Sequence, residues 1–393
     1  MAHESRGEIV RLRAVNAAYP VPEVKGYVSE VDALRALAMT AVFAYHCDLM
    51  PFGWAGVWLF FVISGFAITS SLLGSVRVVQ SKVLLLRNFY ARRCLRIWPV
   101  YILIVTGSMI AAALAGNHEA LGHWPWLATF TYNYLPLLHR EHWGVTGHLW
   151  TISVEEQFYL IFPFLFAFLG QRWLVAALWV CVALSPALRA ALIWGLQPML
   201  RSEPPVHSVV HYFGPAHFDA FSAGALLAIL RPLIATRLSH ARIFLAAALG
   251  AAAVYFCIYL GVDAAGQGFN EQVLVSEIGS FATGEGRETV IYTVLVGLAS
   301  ALIALILAGE AWLVAFCRLP LLRPIGRVSY GAYVYHFPLL SLYNVLWPSP
   351  EGFVTWTGGL SKFGVGYAVT LLIAFLSFRY IEAPVLRLRA RFS

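Results

Sequence analysis

Charge is scarce in this sequence. Only 12% of its 393 residues are Asp, Glu, Lys or Arg, about half the ~25% of an ordinary soluble domain. With 60% hydrophobic residues and a mean hydropathy of +0.72, too little polar surface is left to solvate a globular domain. That excludes a soluble enzyme and points to an integral membrane protein. Cysteine is scarce as well. Cys47, Cys94, Cys181, Cys257 and Cys317 lie in or beside apolar runs without CxxC spacing, which excludes a disulfide framework or cysteine metal site. The first thirty residues carry Arg6, Arg11, Arg13 and Lys25 but no short apolar core with a cleavage site, so no signal peptide is expected. Repeats, low-complexity tracts and polar linkers are missing too, and a single domain is expected.

What the sequence has in excess is apolar runs near the ~20 residues a bilayer needs. Ten can be drawn, about 31–50, 55–74, 98–116, 149–169, 173–195, 212–231, 243–262, 289–309, 326–347 and 359–381. The expected fold is an all-α integral membrane protein, a polytopic bundle of about ten transmembrane helices with both termini cytoplasmic. With the N-terminus inside, 20 of the 27 Lys and Arg fall on inner segments and four on outer loops, the positive-inside pattern. This topology accounts for the net charge of +7, and no nucleic-acid partner is expected. The boundaries follow as an N-terminal segment 1–30, a membrane domain 31–381 and a basic tail 382–393. The chain stops twelve residues after the last span, so no appended soluble module is expected.

The stretch Val31–Met50 stands out, because it is apolar yet carries Arg35 and His46. At ~100° per residue, eleven residues bring the two side chains to within ~20° of one face, ~16 Å apart along the axis. A cation and a titratable imidazole at two depths on one face point to a lined cavity. The bland reading is a snorkelling arginine and a satisfied core histidine.

Other candidates are graded by their surroundings. The RNFYARRCLRIWP run puts Arg87, Arg92, Arg93 and Arg96 in the inner loop before the third span. Arg93 and Arg96, one turn apart, suit a polyphosphate such as coenzyme A, and ordinary anchoring to lipid headgroups explains the cluster equally well. Ser64-Gly65 in the second span permits close helix packing, with the hydroxyl free to bond across helices. Glu155 and Glu156 point ~100° apart, so one of them at most faces a cavity. Asp219, in an apolar span, requires an intramembrane Arg or His partner. His336 lies in a tyrosine-rich span and is open between a belt position and a functional one. Arg379 and Glu382 are spaced to pair with each other. The HxxH at 139–142 lacks the companions of a metal site, and no metal is expected.

In chain order these segments resemble the acyltransferase 3 family of integral-membrane O-acyltransferases. The carriers are the R-x10-H of Arg35 and His46, GVWLFFVISGF (56–66), FYARRCLRIWPVY (89–101), HLWTISVEEQFY (148–159), GRVSYGAYVYHFP (326–338) and YIEAP (380–384). The resemblance implies acyl transfer, with acetyl expected, from cytoplasmic acyl-CoA to a hydroxyl of a glycan or glycolipid of the bacterial envelope. It places the protein in the inner membrane and asks for no tightly bound cofactor. It implies His46 as general base, with Arg35 and Glu156 in the catalytic set, and Arg92, Arg93, Arg96 and Ser64 on the donor. Further functional positions are Glu155, Asp219, His336, Tyr380 and Glu382. Many members carry a C-terminal hydrolase domain, and its absence here favours direct single-module transfer. The competing class is a transporter or flippase for a lipid-linked or anionic solute, with Arg35 and His46 on its pathway. The absence of an inverted repeat speaks against it.

Overall fold

The computed structural model describes residues 28–79, 81–138, 144–196, 206–270, 286–348 and 356–392. Among these the fold is carried by helices α1 (Glu30–Tyr45), α2 (Gly56–Val76), α3 (Lys82–Leu114), α4 (Trp150–Phe168) and α5 (Gln171–Leu196). The second half adds α6 (Phe218–Ile229), α7 (Leu238–Gln267), α8 (Ile291–Leu307), α9 (Leu322–Leu346) and α10 (Trp356–Ser377), with short helical turns between them. No strand occurs among the described residues. The protein is an all-α, multi-pass membrane bundle.

Each of the ten expected spans falls on one of these helices, yet among the described residues seven segments are long and apolar enough to cross a membrane. The other three are α1, α6 and α9. α1 and α6 have 16 and 12 residues and bury most of their side chains in protein. A helix enclosed by other helices needs neither the length nor the all-round apolarity that lipid demands. α7 is the opposite case. Only 6% of its apolar window is buried, against 61% for α8, so α7 faces lipid while α8 lies in the core.

Two boundaries differ from expectation, and both bear on function. α1 ends at Tyr45, and His46 is its C-cap, its N–H on the Val42 carbonyl. α3 begins at Lys82, so the arginine run expected in a loop lies on a helix that continues through Pro99. Nothing in RNFYARRCLRIW breaks a helix before that proline, and lipid-embedded helices tolerate one.

α2 and α6 cross in backbone contact. A Cβ on Gly65 would lie 2.0 Å from the Phe221 carbonyl oxygen, and one on Gly224 2.0 Å from that of Val62. Neither obstacle is a side chain that can rotate away. Gly65→Ala is expected to cost about 2–3 kcal/mol, read as a lower Tm of the purified protein.

α5 and α6 are joined by charge. Arg189 Nη1 donates to Asp219 Oδ2 at 3.0 Å and to the Ala216 carbonyl, and both side chains are essentially unexposed. This is the partner Asp219 required. Asp219→Ala strands a buried guanidinium, which costs about 3–5 kcal/mol. It is expected to remove the protein from the membrane fraction, and the double change to Arg189→Met and Asp219→Leu to restore part of it.

Candidate active site

α1 has a pocket at each end. The one near its N-terminal end is lined by Arg35, Ser64, Arg93, Arg96, Glu155 and Tyr333, among others. α3 brings Arg93 and Arg96 to the same wall, as a spacing of three on a helix dictates. Arg35 Nη1 donates to Asp32 Oδ1 at 2.9 Å. Arg93 is held by aromatic faces instead, 5.0 Å above the Tyr159 ring and 5.7 Å from that of Phe89. Among the described residues no carboxylate lies in ion-pair range of Arg93 or Arg96. Glu155 is occupied locally, accepting from Ser64 Oγ at 2.8 Å and the Tyr159 hydroxyl at 3.2 Å. Arg93 and Arg96 thus make no ion pair within 4 Å, although Glu155, which lines the same pocket, bears electrostatically on Arg93, and Glu382 on Arg96. Their planar forks have the shape that matches phosphate oxygens.

The second pocket lies at the C-terminal end of α1. It is the roomier of the two, about 550 Å³, and is lined by Tyr45, His46, Asp48, Ser341, Asn344 and Lys362, among others. This wall is rich in hydroxyl, amide and charged groups, the kind that hydrogen-bonds a polyhydroxylated molecule. His46 makes no side-chain hydrogen bond with any described residue. A neutral imidazole with an open nitrogen, facing a polar pocket, can take a proton from a hydroxyl placed there.

The single cavity expected along Arg35 and His46 is therefore two, and α9 fills the space between them. Tyr333 lines the arginine pocket and Phe337 the His46 pocket. His336 lies between, its ring centroid 5.3 Å from that of His46 and 5.2 Å from that of Tyr333.

Most of the expected residues meet here, and some do not. Arg35, Ser64, Arg93 and Arg96 share one pocket, with His46 and His336 beyond it. The carboxylate on that pocket is Glu155, whereas Glu156, expected in the catalytic set, lines neither pocket and keeps a buried, unpartnered Oε1. The reason is the ~100° between neighbours on α4. Arg92, expected on the donor, does not line the arginine pocket either; it donates to the Phe392 carbonyl at 2.6 Å and to Ser75 Oγ at 2.8 Å, fastening the C-terminal tail. Asp219 belongs to the α5–α6 joint. Tyr380 is 66% exposed and lines neither pocket. Arg379 and Glu382 do not pair, because Arg379 lies over the Tyr380 ring and Glu382 accepts from Ser377. Residues 139–142 fall outside the described residues.

Sequence reasoning missed Asp32, Lys362, Thr151, Tyr333 and His148. Asp32, three residues before Arg35 in an apolar run, was the legible signal. His148 opens the HLWTISVEEQFY segment, but its partner, the Val334 carbonyl on α9, could not be read there.

The family model described as an acyltransferase domain matches residues 28–379. The chain is similar to peptidoglycan O-acetyltransferase OatA of Listeria monocytogenes, 29% identical over 383 residues that cover 91% of this chain and 56% of the relative. It is also similar to O-acetyltransferase OatA of Staphylococcus aureus, 24% identical over 379 residues, 91% of this chain and 57% of the relative. The chain thus spans a little over half the length of these curated relatives. No solved structure matches it. Matched by that family model along nearly its whole length, this all-α membrane helix bundle belongs to the acyltransferase 3 family.

Proposed function

We propose that the protein transfers an acyl group, acetyl by preference, from cytoplasmic acyl-CoA to a hydroxyl of an envelope glycan. The arginine pocket faces the cytoplasm in this reading, consistent with the positive-inside distribution of Lys and Arg. Both termini and the basic tail then lie on that side of a bacterial inner membrane. Arg93 and Arg96 hold the donor's phosphates, and Arg35 lies on the way from them toward His46. His46 takes the proton of the acceptor hydroxyl as that oxygen attacks the acyl carbon supplied by the thioester. The C–S bond breaks and the thiolate of coenzyme A is protonated in turn. The acceptor occupies the larger pocket on the far side, where Asp48, Asn344, Ser341 and Lys362 hydrogen-bond its other hydroxyls.

One observation carries the reading. Arg93 and Arg96, without an ion pair within 4 Å among the described residues, share a pocket with Arg35 at one end of α1. His46, its side chain without a hydrogen bond to a described residue, lines a pocket at the other, about 16 Å from Arg35 by the rise of a helix. A relative named a peptidoglycan O-acetyltransferase makes a peptidoglycan-type glycan the first acceptor to try. The test is alkali-labile acetate released from envelope glycans of a deletion strain, with and without the restored gene. Unchanged acetate in every glycan fraction would sink the proposal.

A further inference from the structure

Two buried imidazoles stand between the pockets, and each is held in one tautomer by a backbone carbonyl. Pro338 has no N–H, so the carbonyl four residues earlier, Val334, loses its helical donor. His148 fills that vacancy, donating from Nε2 at 3.0 Å. Its Nδ1 is left as a bare lone pair. His336 makes the opposite choice, donating from Nδ1 to the Tyr333 carbonyl and leaving Nε2 bare. Both bare nitrogens are buried without a hydrogen-bond partner, an arrangement that normally costs about 1–3 kcal/mol per group. His336 is fully buried, and its ring neighbours are His46 at 5.3 Å, His148 at 4.9 Å and Tyr333 at 5.2 Å. It is one side chain removed from the arginine pocket and adjoins the base of the other.

We infer that His336 carries the acyl group across this partition, so that neither coenzyme A nor the glycan has to pass it. The inference rests on the acyl-CoA reading above. With Tyr333 turned aside, His336 Nε2 attacks the thioester carbonyl. A C–N bond forms, the C–S bond breaks, and coenzyme A leaves as its thiolate. The resulting N-acylimidazolium keeps its Nδ1–H on the Tyr333 carbonyl. The acceptor oxygen, its proton taken by His46, then attacks the same carbon. The C–N bond breaks, the ester is formed and His336 returns to its neutral tautomer. The proton on His46 passes to solvent, and one from the opposite side neutralises the thiolate. The sum is acyl-CoA plus alcohol giving ester plus coenzyme A.

The test is isotope exchange without acceptor. Full-length protein in lipid nanodiscs receives acetyl-CoA and labelled coenzyme A. Label is expected to enter acetyl-CoA at least as fast as the overall turnover seen when glycan is added. His336→Gln, which keeps a donor and much of the volume, and His336→Ala, which leaves a cavity and a lower Tm, are both expected to lose exchange and glycan acetylation. His46→Ala is expected to lose acetylation and retain exchange. Glycan acetylation by wild-type protein with no acceptor-free exchange overturns the carrier, whether or not the His336 variants fold. Exchange that survives in His336→Ala overturns it as well. Failure of wild-type protein both to exchange and to acetylate from acetyl-CoA removes the donor reading, and the carrier with it.

Discussion

His46→Ala is expected to lower acyl transfer by a factor of 100 or more while the protein accumulates in the membrane at its normal level. A positioned base contributes about 10²–10⁴-fold, and an alcohol near pKa 15 is not ionised at pH 7 without one. Imidazole, near pKa 6.5 in its unperturbed form, is the side chain suited to take that proton at neutral pH. The substitution is also clean. His46 caps α1, is partly exposed to its pocket and holds no other residue by a side-chain hydrogen bond. Truncating it therefore leaves no buried cavity and no stranded partner, the two commonest causes of incidental unfolding. His46→Gln separates the remaining roles, since the amide keeps a hydrogen-bonding group in place and cannot act as a base. Both variants are expected to fall together in a glycan acetate assay normalised to membrane protein. Activity above a tenth of wild type in either one rules out His46 as the base.

Parts of this site are legible in the sequence because helical geometry is local. The eleven-residue spacing of Arg35 and His46, the three-residue spacing of Arg93 and Arg96, and the divergence of Glu155 from Glu156 all follow from 3.6 residues per turn. Choosing between members of a set is another matter, because it depends on what the neighbouring helix presents. Glu155 faces the pocket since Ser64 of α2 and Tyr159 reach it there. Arg92 turns away because Ser75 and the carbonyl of Phe392, 300 positions distant, accept its hydrogen bonds. Hydropathy likewise finds helices that meet lipid better than those enclosed by protein. For α1 and α6, burial replaced length. The link from His148 to Pro338 is the least accessible. It joins a missing amide on one helix to a ring that precedes another, and neither segment signals the other.

Replacing Arg93 and Arg96 together by Ala is expected to raise the KM for acetyl-CoA by about 100-fold or more. A hydrogen bond to a charged group contributes ~1.5–3 kcal/mol, so the pair supplies ~3–6 kcal/mol, or two to four decades of affinity. The lever is separable from the chemistry, because acetyl-pantetheine carries the same thioester on the same arm without the nucleotide phosphates. Wild type and double variant are expected to turn over that short donor alike, at equally high KM. Lys at both positions should recover only part of the lost affinity, since an ammonium cannot bind two phosphate oxygens side by side or stack on the Tyr159 ring as Arg93 does. Arg92→Ala serves as the contrast. Its guanidinium fastens the tail at Phe392, so the expected change is in Tm, with the preference for the long donor over the short one kept. If the double variant loses acetyl-CoA and acetyl-pantetheine in the same proportion, the arginines act on the bundle as a whole. The arginine pocket at the base of α1 would then have no donor to hold.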